Sequence, residues 1–428
     1  MRNRKLYVPK LIKPLDEVPA LRGGAQHICD IGDGYKQVTA FGTSQSTFAL
    51  YLSDLEAAGF TLYVQNTISG NLYATYTKGS SENKITVHAY YAPTSGETRI
   101  IAKKGDIALP ATEAPTYNKV TNLTYTILVD YDSSGNLGPD VGGGSLGGIV
   151  QLEDGSFLVY DGGNNHSKVA DQIYNKLYEL APDKNNIVIR AWIFSHAHSD
   201  HVGGFQAFVS KYGSKTNVTV ESFLFNFCDT PEQTETLSST ALFTTVRNLV
   251  SATYPNATVY KALTGQIYYF AGLQMEVLAT MSDFIPLVIG QEAVDADLNN
   301  GDGNTMSIVV RLITNAGKTV MLTGDATNIV LDDMCDRYGE AYLKTDVLTM
   351  PHHALNQDRY RARNATENFY DHTKPTIAIL PHASRIRLAA QGDSPNEVNV
   401  YLQETYHPTI YDSATVQTID LTTLTLIP

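Results

Sequence analysis

The chain has 428 residues, 43% of them hydrophobic and 18% charged, with a formal net charge of −13. That length predicts two or three domains with sizeable cores, and the composition is that of a globular protein. The negative charge speaks against a broad non-specific nucleic-acid footprint, and no run approaches the ~20 apolar residues of a membrane span. Residues 1–21 are basic, carry three prolines and lack an apolar stretch, so they do not read as a secretory signal. Cys29, Cys228 and Cys335 are far apart, which argues against a disulfide framework and points to a reducing compartment. The expected location is therefore cytoplasmic.

Residues 1–40 read as irregular, broken by Gly23-Gly24 and by Gly32 and Gly34. Ser46-Thr47 is a candidate cap for a helix through Ala58, with Phe48, Tyr51, Leu52 and Leu55 on one face and Gly59 at its end. Four strand-like runs follow, 60–68, 71–77, 84–92 and 97–102, separated by Ser/Gly turn signals. Residues 1–105 thus form a small α+β domain. Residues 106–120, with Pro110 and Pro115, read as a linker. From residue 121 the chain alternates strand and helix signals. There is a strand over 123–130, a Gly-rich turn at 142–148, a hairpin around Glu153-Asp154-Gly155 and a helix over 167–180. Further strands are expected at 273–279 and 376–380. Periodicity alone says mixed α/β.

The densest chemistry is His196-Ala197-His198-Ser199-Asp200-His201. It follows the apolar, β-branched run 186–194, a buried strand, and precedes Gly203-Gly204 and a helical stretch to Tyr212. Three imidazoles and a carboxylate at a strand end suit two adjacent metal ions. In an extended segment His196 and His198 share a side, while Asp200 and His201 turn toward a second position. Neutral imidazole and carboxylate suit zinc, one ion or two, and also manganese or iron.

Together with Gly203-Gly204, this cluster resembles the metallo-β-lactamase superfamily of binuclear metal hydrolases. Other marks occur in that family's order: Ser156 to Asp161 followed by two glycines, Lys318 to Asp325, and Asp346 to His352-His353. Asn304 to Val310 and the His-His pair are closest to the β-lactamase-like domain of bacterial competence DNA-uptake proteins and its free-standing relatives. The likeness covers residues 121–428 and implies an αββα four-layer sandwich. It also implies a site: His196 and His198 on the first metal, Asp200, His201 and His352 on the second, Asp325 bridging. His353 competes with His352, and the alignment of Met350-Pro351-His352 favours His352. Asp161 and the glycines take structural roles.

The family's further His between the first cluster and the bridging Asp is missing, since no His lies between His201 and His352. Asp283, a water or Asn304 is left to complete the first metal. Past the strand end at Leu380, His382, Arg385 and Arg387 are candidates to hold an anionic oxygen or protonate a leaving group, with Tyr360, Arg361 and Arg363 a weaker set. Asp200 and Asp325 join His382 and Arg385 as the catalytic candidates. The implied activity is a metal-dependent hydrolase that draws its nucleophile from activated water. Its expected substrate is a phosphodiester or other phosphate ester; the alternatives are a lactone, thioester or amide. A different class is a non-catalytic scaffold or binding protein with a degenerate metal site. The expected partner is a small-molecule or phosphoester substrate.

Overall fold

The computed structural model describes residues 12–137, 146–227, 240–288, 303–354, 365–388 and 397–427. Two compact units divide the chain, 1–107 and 108–428. No helix among the described residues is long and apolar enough to cross a membrane.

The first unit holds a six-stranded antiparallel sheet. Its strands are β1 (Ala25–Asp30), β2 (Lys36–Phe41), β3 (Thr61–Ile68), β4 (Asn71–Lys78), β5 (Ile85–Ala92) and β6 (Glu97–Lys104), in the order β1-β2-β6-β5-β4-β3. Helix α1 (Gln45–Ala57) lays Phe48, Tyr51 and Leu55 into a core with Val38, Tyr76, Val87 and Ile100. Two sequence expectations are corrected here. Residues 25–41 form a hairpin rather than an irregular stretch. Gly32, Asp33 and Gly34 all have positive φ and close its turn, so these residues join strands instead of breaking them. The cap of α1 is Ser44, whose Oγ accepts from Thr47 N at 3.2 Å, not Ser46-Thr47.

The second unit contains two sheets. One has nine strands: β7 (Thr124–Ile127), β8 (Gly147–Gln151), β9 (Phe157–Asp161), β10 (Ile187–Ile193), β11 (Val218–Val220), β12 (Ser222–Phe225), β13 (Thr258–Lys261), β21 (Gln417–Asp420) and β22 (Thr425–Ile427). Their order is β13-β12-β10-β9-β8-β7-β21-β22, with β11 also paired to β10. The other has seven strands in sequential order: β14 (Ile267–Phe270), β15 (Leu273–Ala279), β16 (Val309–Thr314), β17 (Thr319–Leu322), β18 (Val347–Thr349), β19 (Ile377–Leu380) and β20 (Thr409–Asp412).

Leu158, Tyr160 and Ile193 of the first sheet share a core with Met275, Val310, Val320, Leu322 and Ile379 of the second, so the sheets pack face to face. On the outer face of the first sheet, α2 (Ser167–Leu180), α3 (Ser199–Tyr212) and the helix Thr240–Thr253 bury an aromatic layer. Trp192, Phe194, Phe205, Phe208 and Phe223 form its centre. Beyond the second sheet lies the helix Asn328–Tyr338, whose Tyr338 hydroxyl donates to the Leu278 carbonyl at 2.7 Å. The unit is therefore an α/β sandwich of helix, sheet, sheet and helix. Strands β9 and β10 run parallel, as do β17, β18 and β19. Their carboxyl ends carry the residues described next. Of the expected Gly-rich turn at 142–148, residues 142–145 lie outside the described residues.

Candidate metal centre

Strand β10 ends at Ile193, and His196 and His198 follow it directly. His198 is the N-cap of α3, which places Asp200 and His201 in that helix's first turn. Asp200 is thereby the acidic residue at a positive helix end. Asp325 follows β17 through Gly324, whose φ of +53 and close approach suit a residue without a side chain. A Cβ there would lie 2.7 Å from Ser195 Cβ. His352 and His353 follow β18, so both sheets contribute donors.

The donors form two groups that share one carboxylate. Asp200, His201, Asp325 and His353 make one; His196, His198 and Asp325 make the other. Asp325 Oδ1 lies 3.1 Å from His201 Nε2, and Oδ2 lies 3.3 Å from His353 Nε2 and 4.0 Å from His196 Nε2. Asp200 Oδ2 is 3.3 Å from His353 Nε2. The sequence resemblance favours His352 for the second group; the structure places His353 there. His352 Nε2 instead lies 3.1 Å from the Asn304 amide nitrogen and 3.8 Å from Asp325 Oδ2.

Several neighbours orient these rings. Asp161, at the end of β9, has a φ of +52 and no exposed surface. Its carboxylate accepts from Ser195 N (2.7 Å), Ser195 Oγ (2.7 Å) and His201 Nδ1 (2.8 Å). Since Ser195 donates its proton to Asp161, its oxygen accepts from His196 Nδ1 at 3.0 Å. His353 Nδ1 donates to the Pro381 carbonyl at 3.0 Å. In all three rings Nδ1 is the outward donor, so Nε2 is the nitrogen turned to the shared carboxylate. Carbonyl, hydroxyl and carboxylate partners of this kind set the tautomer of metal-binding histidines. The Ser307 hydroxyl accepts from Asp325 N at 3.1 Å and lies 3.3 Å from His196 Nδ1. Ser195, Ser307 and the Pro381 carbonyl were not singled out from the sequence. Ser195 is adjacent to a quoted motif and Ser307 lies within one, whereas a backbone carbonyl leaves no residue signal.

Gly203 and Gly204 permit the contact between α3 and the loop after β9. A Cβ on Gly204 would lie 2.2 Å from the Gly162 carbonyl oxygen, and one on Gly203 2.4 Å from Asn165 N.

The charges fit the same picture. Burial, with His201 and His198 nearby, holds His196 well below its usual range, so it is neutral. Burial also opposes charge on His201, but Asp325, Asp161 and Asp200 outweigh it and raise that ring well above its usual range. His353 is raised to about 10 against its burial, chiefly by Asp325. Asp325 is held well below the carboxylate range despite burial, by His201, His353 and His352. Asp200 is lowered to about 2, again against burial, by His201 and His353. A metal bound there would have to displace protons from His201 and His353, so uptake is expected to strengthen as pH rises.

The donor set itself fits a transition metal. Buried His196 Nε2 has no hydrogen-bond partner among the described residues, and His201 Nε2 faces Asp325 Oδ1 without hydrogen-bond alignment. A polar atom left so in a protein core is costly unless something else meets it.

Other sequence candidates lie elsewhere. Asp283 opens the helix Met281–Val288, where Oδ2 accepts from Thr280 N (2.9 Å) and Thr264 Oγ1 (2.7 Å), with Arg337 3.7 Å away. It caps that helix and is in neither donor group. Arg385 turns to β20, donating to Asp412 Oδ2 at 2.5 Å and to the Ile410 carbonyl at 3.1 Å. His382 is buried, its Nδ1 accepting from Ser384 N at 3.0 Å. The strand end at Leu380 thus serves the site through the Pro381 carbonyl. Tyr360, Arg361, Arg363 and the Arg387 side chain lie outside the described residues.

Residues 142–218 match the family model of the metallo-beta-lactamase superfamily. The match covers β8, β9 and β10, reaches the first residue of β11, and so includes the His196 to His201 cluster. No curated protein matches. Solved structures with a slight likeness include CmlA, a diiron beta-hydroxylase from Streptomyces venezuelae (11% identity, 72% of this chain and 55% of that one, TM-score 0.37). Another is a mutant flavo di-iron protein from Thermotoga maritima (10%, 61% and 41%, TM-score 0.22). A third is a metallo-beta-lactamase from Pontibacter korlensis (12%, 66% and 88%, TM-score 0.25). This chain spans about half the length of the first of them, 55% of CmlA. Likenesses this slight say nothing of what this chain does.

Asp161 is the buried support of the His cluster. Asp161→Ala is expected to leave Ser195 N and the Ser195 hydroxyl proton without their acceptor, and His201 Nδ1 with only Ser195 Oγ at 3.3 Å. The expected cost is about 2–4 kcal/mol of stability, with a ten- to hundredfold (roughly) loss of metal affinity. Thermal melts of the metal-free and metal-loaded variant check both figures. A wild-type melting curve would contradict the role given to Asp161.

Proposed function

We propose that the chain is a metal-dependent hydrolase whose centre takes two transition metals, with zinc the first candidate and manganese or iron also suited to the donors. One observation carries this reading: two donor groups from opposite sheets meet on the single carboxylate of Asp325. Metals bound there would bring a water's pKa toward neutrality and draw charge from the oxygens of a scissile ester. The chain's own part is to hold that arrangement. Asp325 joins the two groups, His353 is aligned by the Pro381 carbonyl, and His196 by Ser195. Neutral His196 offers its Nε2 lone pair without first losing a proton.

The proposed substrate is a phosphodiester or other phosphate ester. Support comes from the motif likeness to the DNA-uptake branch. The nearby arginines add less than the sequence suggested, since Arg385 is committed to Asp412. Elemental analysis of the purified chain, followed by a screen of phosphodiester, lactone and thioester substrates, tests the reading. Phosphodiester turnover that is lost on chelation and restored by metal is the expected result. Turnover confined to lactones or thioesters would move the substrate class. A metal-free chain that takes up none would defeat the proposal.

A further inference from the structure

We propose that His352 is the third imidazole of the first metal group, so that the consecutive pair His352-His353 is divided between two metals. This rests on the metal-binding reading above and names the ligand that the chain lacks between His201 and His352.

Position is the first argument. His352 Nε2 lies 3.8 Å from Asp325 Oδ2, and His196 Nε2 lies 4.0 Å from that same oxygen. The ring therefore approaches the shared carboxylate about as closely as His196, a member of the first group. The backbone is the second. His352, His353 and Ala354 have φ values of +49, +54 and +54. Left-handed conformation is unfavourable for a non-glycine residue, and such strain persists where the surroundings impose it. Here the His352 N–H donates to the Gly324 carbonyl at 3.1 Å, and Asn399 Nδ2 donates to the Ala354 carbonyl at 3.0 Å. An extended continuation of β18 would send consecutive side chains to opposite faces. The left-handed turn instead brings both rings toward Asp325.

Chemistry is the third. The Asn304 amide donates to His352 Nε2 at 3.1 Å, which requires a lone pair on that nitrogen. That is the form a metal binds. Joining His196 and His198 requires His352 to leave Asn304, so the first metal is held more weakly than the second. The carboxylate weighed for this position, Asp283, is committed to capping its helix.

The test uses the full chain, stripped with chelator and titrated with Co²⁺ while visible absorption and binding heat are recorded. Wild type is expected to take up about two equivalents, the second more weakly. His352→Ala should keep the tighter equivalent and weaken the other by about a hundredfold or more, with the matching absorption band lost. His353→Ala should weaken the tighter one. His352→Asn, a residue that tolerates the left-handed conformation but stops short of the Nε2 position, should behave like His352→Ala if the Ala variant folds poorly. Two equivalents bound with wild-type affinity and spectrum by a folded His352 variant would overturn the assignment. So would loss of the tighter equivalent alone. A wild-type chain that binds neither Co²⁺ nor Zn²⁺ would instead defeat the underlying proposal of a metal centre.

Discussion

A variant carrying both His198→Ala and Asp200→Ala is expected to retain no stably bound transition metal. The two side chains belong to different donor groups, so the double change strips one ligand from each. The first group is left with His196 and Asp325, joined only by His352 if that ring leaves Asn304, a set too weak to hold a metal stably. The second keeps His201, His353 and Asp325 but loses the carboxylate 3.3 Å from His353. Neither residue is fully buried, so the fold should survive, and a melting curve of the metal-free protein checks that. Elemental analysis reads the result. Metal content equal to wild type in the double variant would mean that the cluster is not the binding site.

The second large effect is expected at Asp325. Replacing it with Asn keeps the shape and one neutral oxygen but removes the charge that faces His196, His201 and His353 at 3.1–4.0 Å. Both metal positions should weaken together, and turnover of any substrate found should fall by about a thousandfold or more. A second readout does not depend on activity. In the metal-free chain His353 is raised to about 10 against its burial, with Asp325 the largest favourable influence. Removing that charge should lower the pH at which the His353 ring gives up its proton, which an NMR titration of the ring measures. An unmoved His353 titration together with full metal content would remove Asp325 from the centre.

The architecture explains why these effects concentrate on so few residues. The cluster after β10 supplies donors for both groups because a helix begins in its midst: His196 and His198 precede the turn, and Asp200 and His201 lie within it. The opposite sheet answers with Asp325 after β17 and His353 after β18. Donors from two sheets thus depend on the packing of the core between them. Glycines at 203, 204 and 324 let backbone segments approach where any Cβ would crowd.

The sequence by itself determined the local pieces. The β-branched run before His196 and the helical spacing over 167–180 correspond to β10 and α2, because period and burial are local properties. The cluster from His196 to His201 declared metal chemistry because few structural roles need three imidazoles in six residues. What the sequence could not decide was anything set by contact between distant segments. Gly32 and Gly34 look like breakers until the β1–β2 pairing shows them to be turn residues. Asp283 looks like a spare ligand until its helix start and Arg337 claim it, and Arg385 looks like an anion clamp until Asp412 does. The His352-His353 pair is the clearest case. Strand alternation predicts that only one ring faces the site. Three successive left-handed residues, held by the Gly324 carbonyl and the Asn399 amide, turn both rings toward Asp325. Such a conformation carries no residue-type signature outside glycine and asparagine, so only the tertiary structure could assign His353 to the second group and bring His352 to the edge of the first.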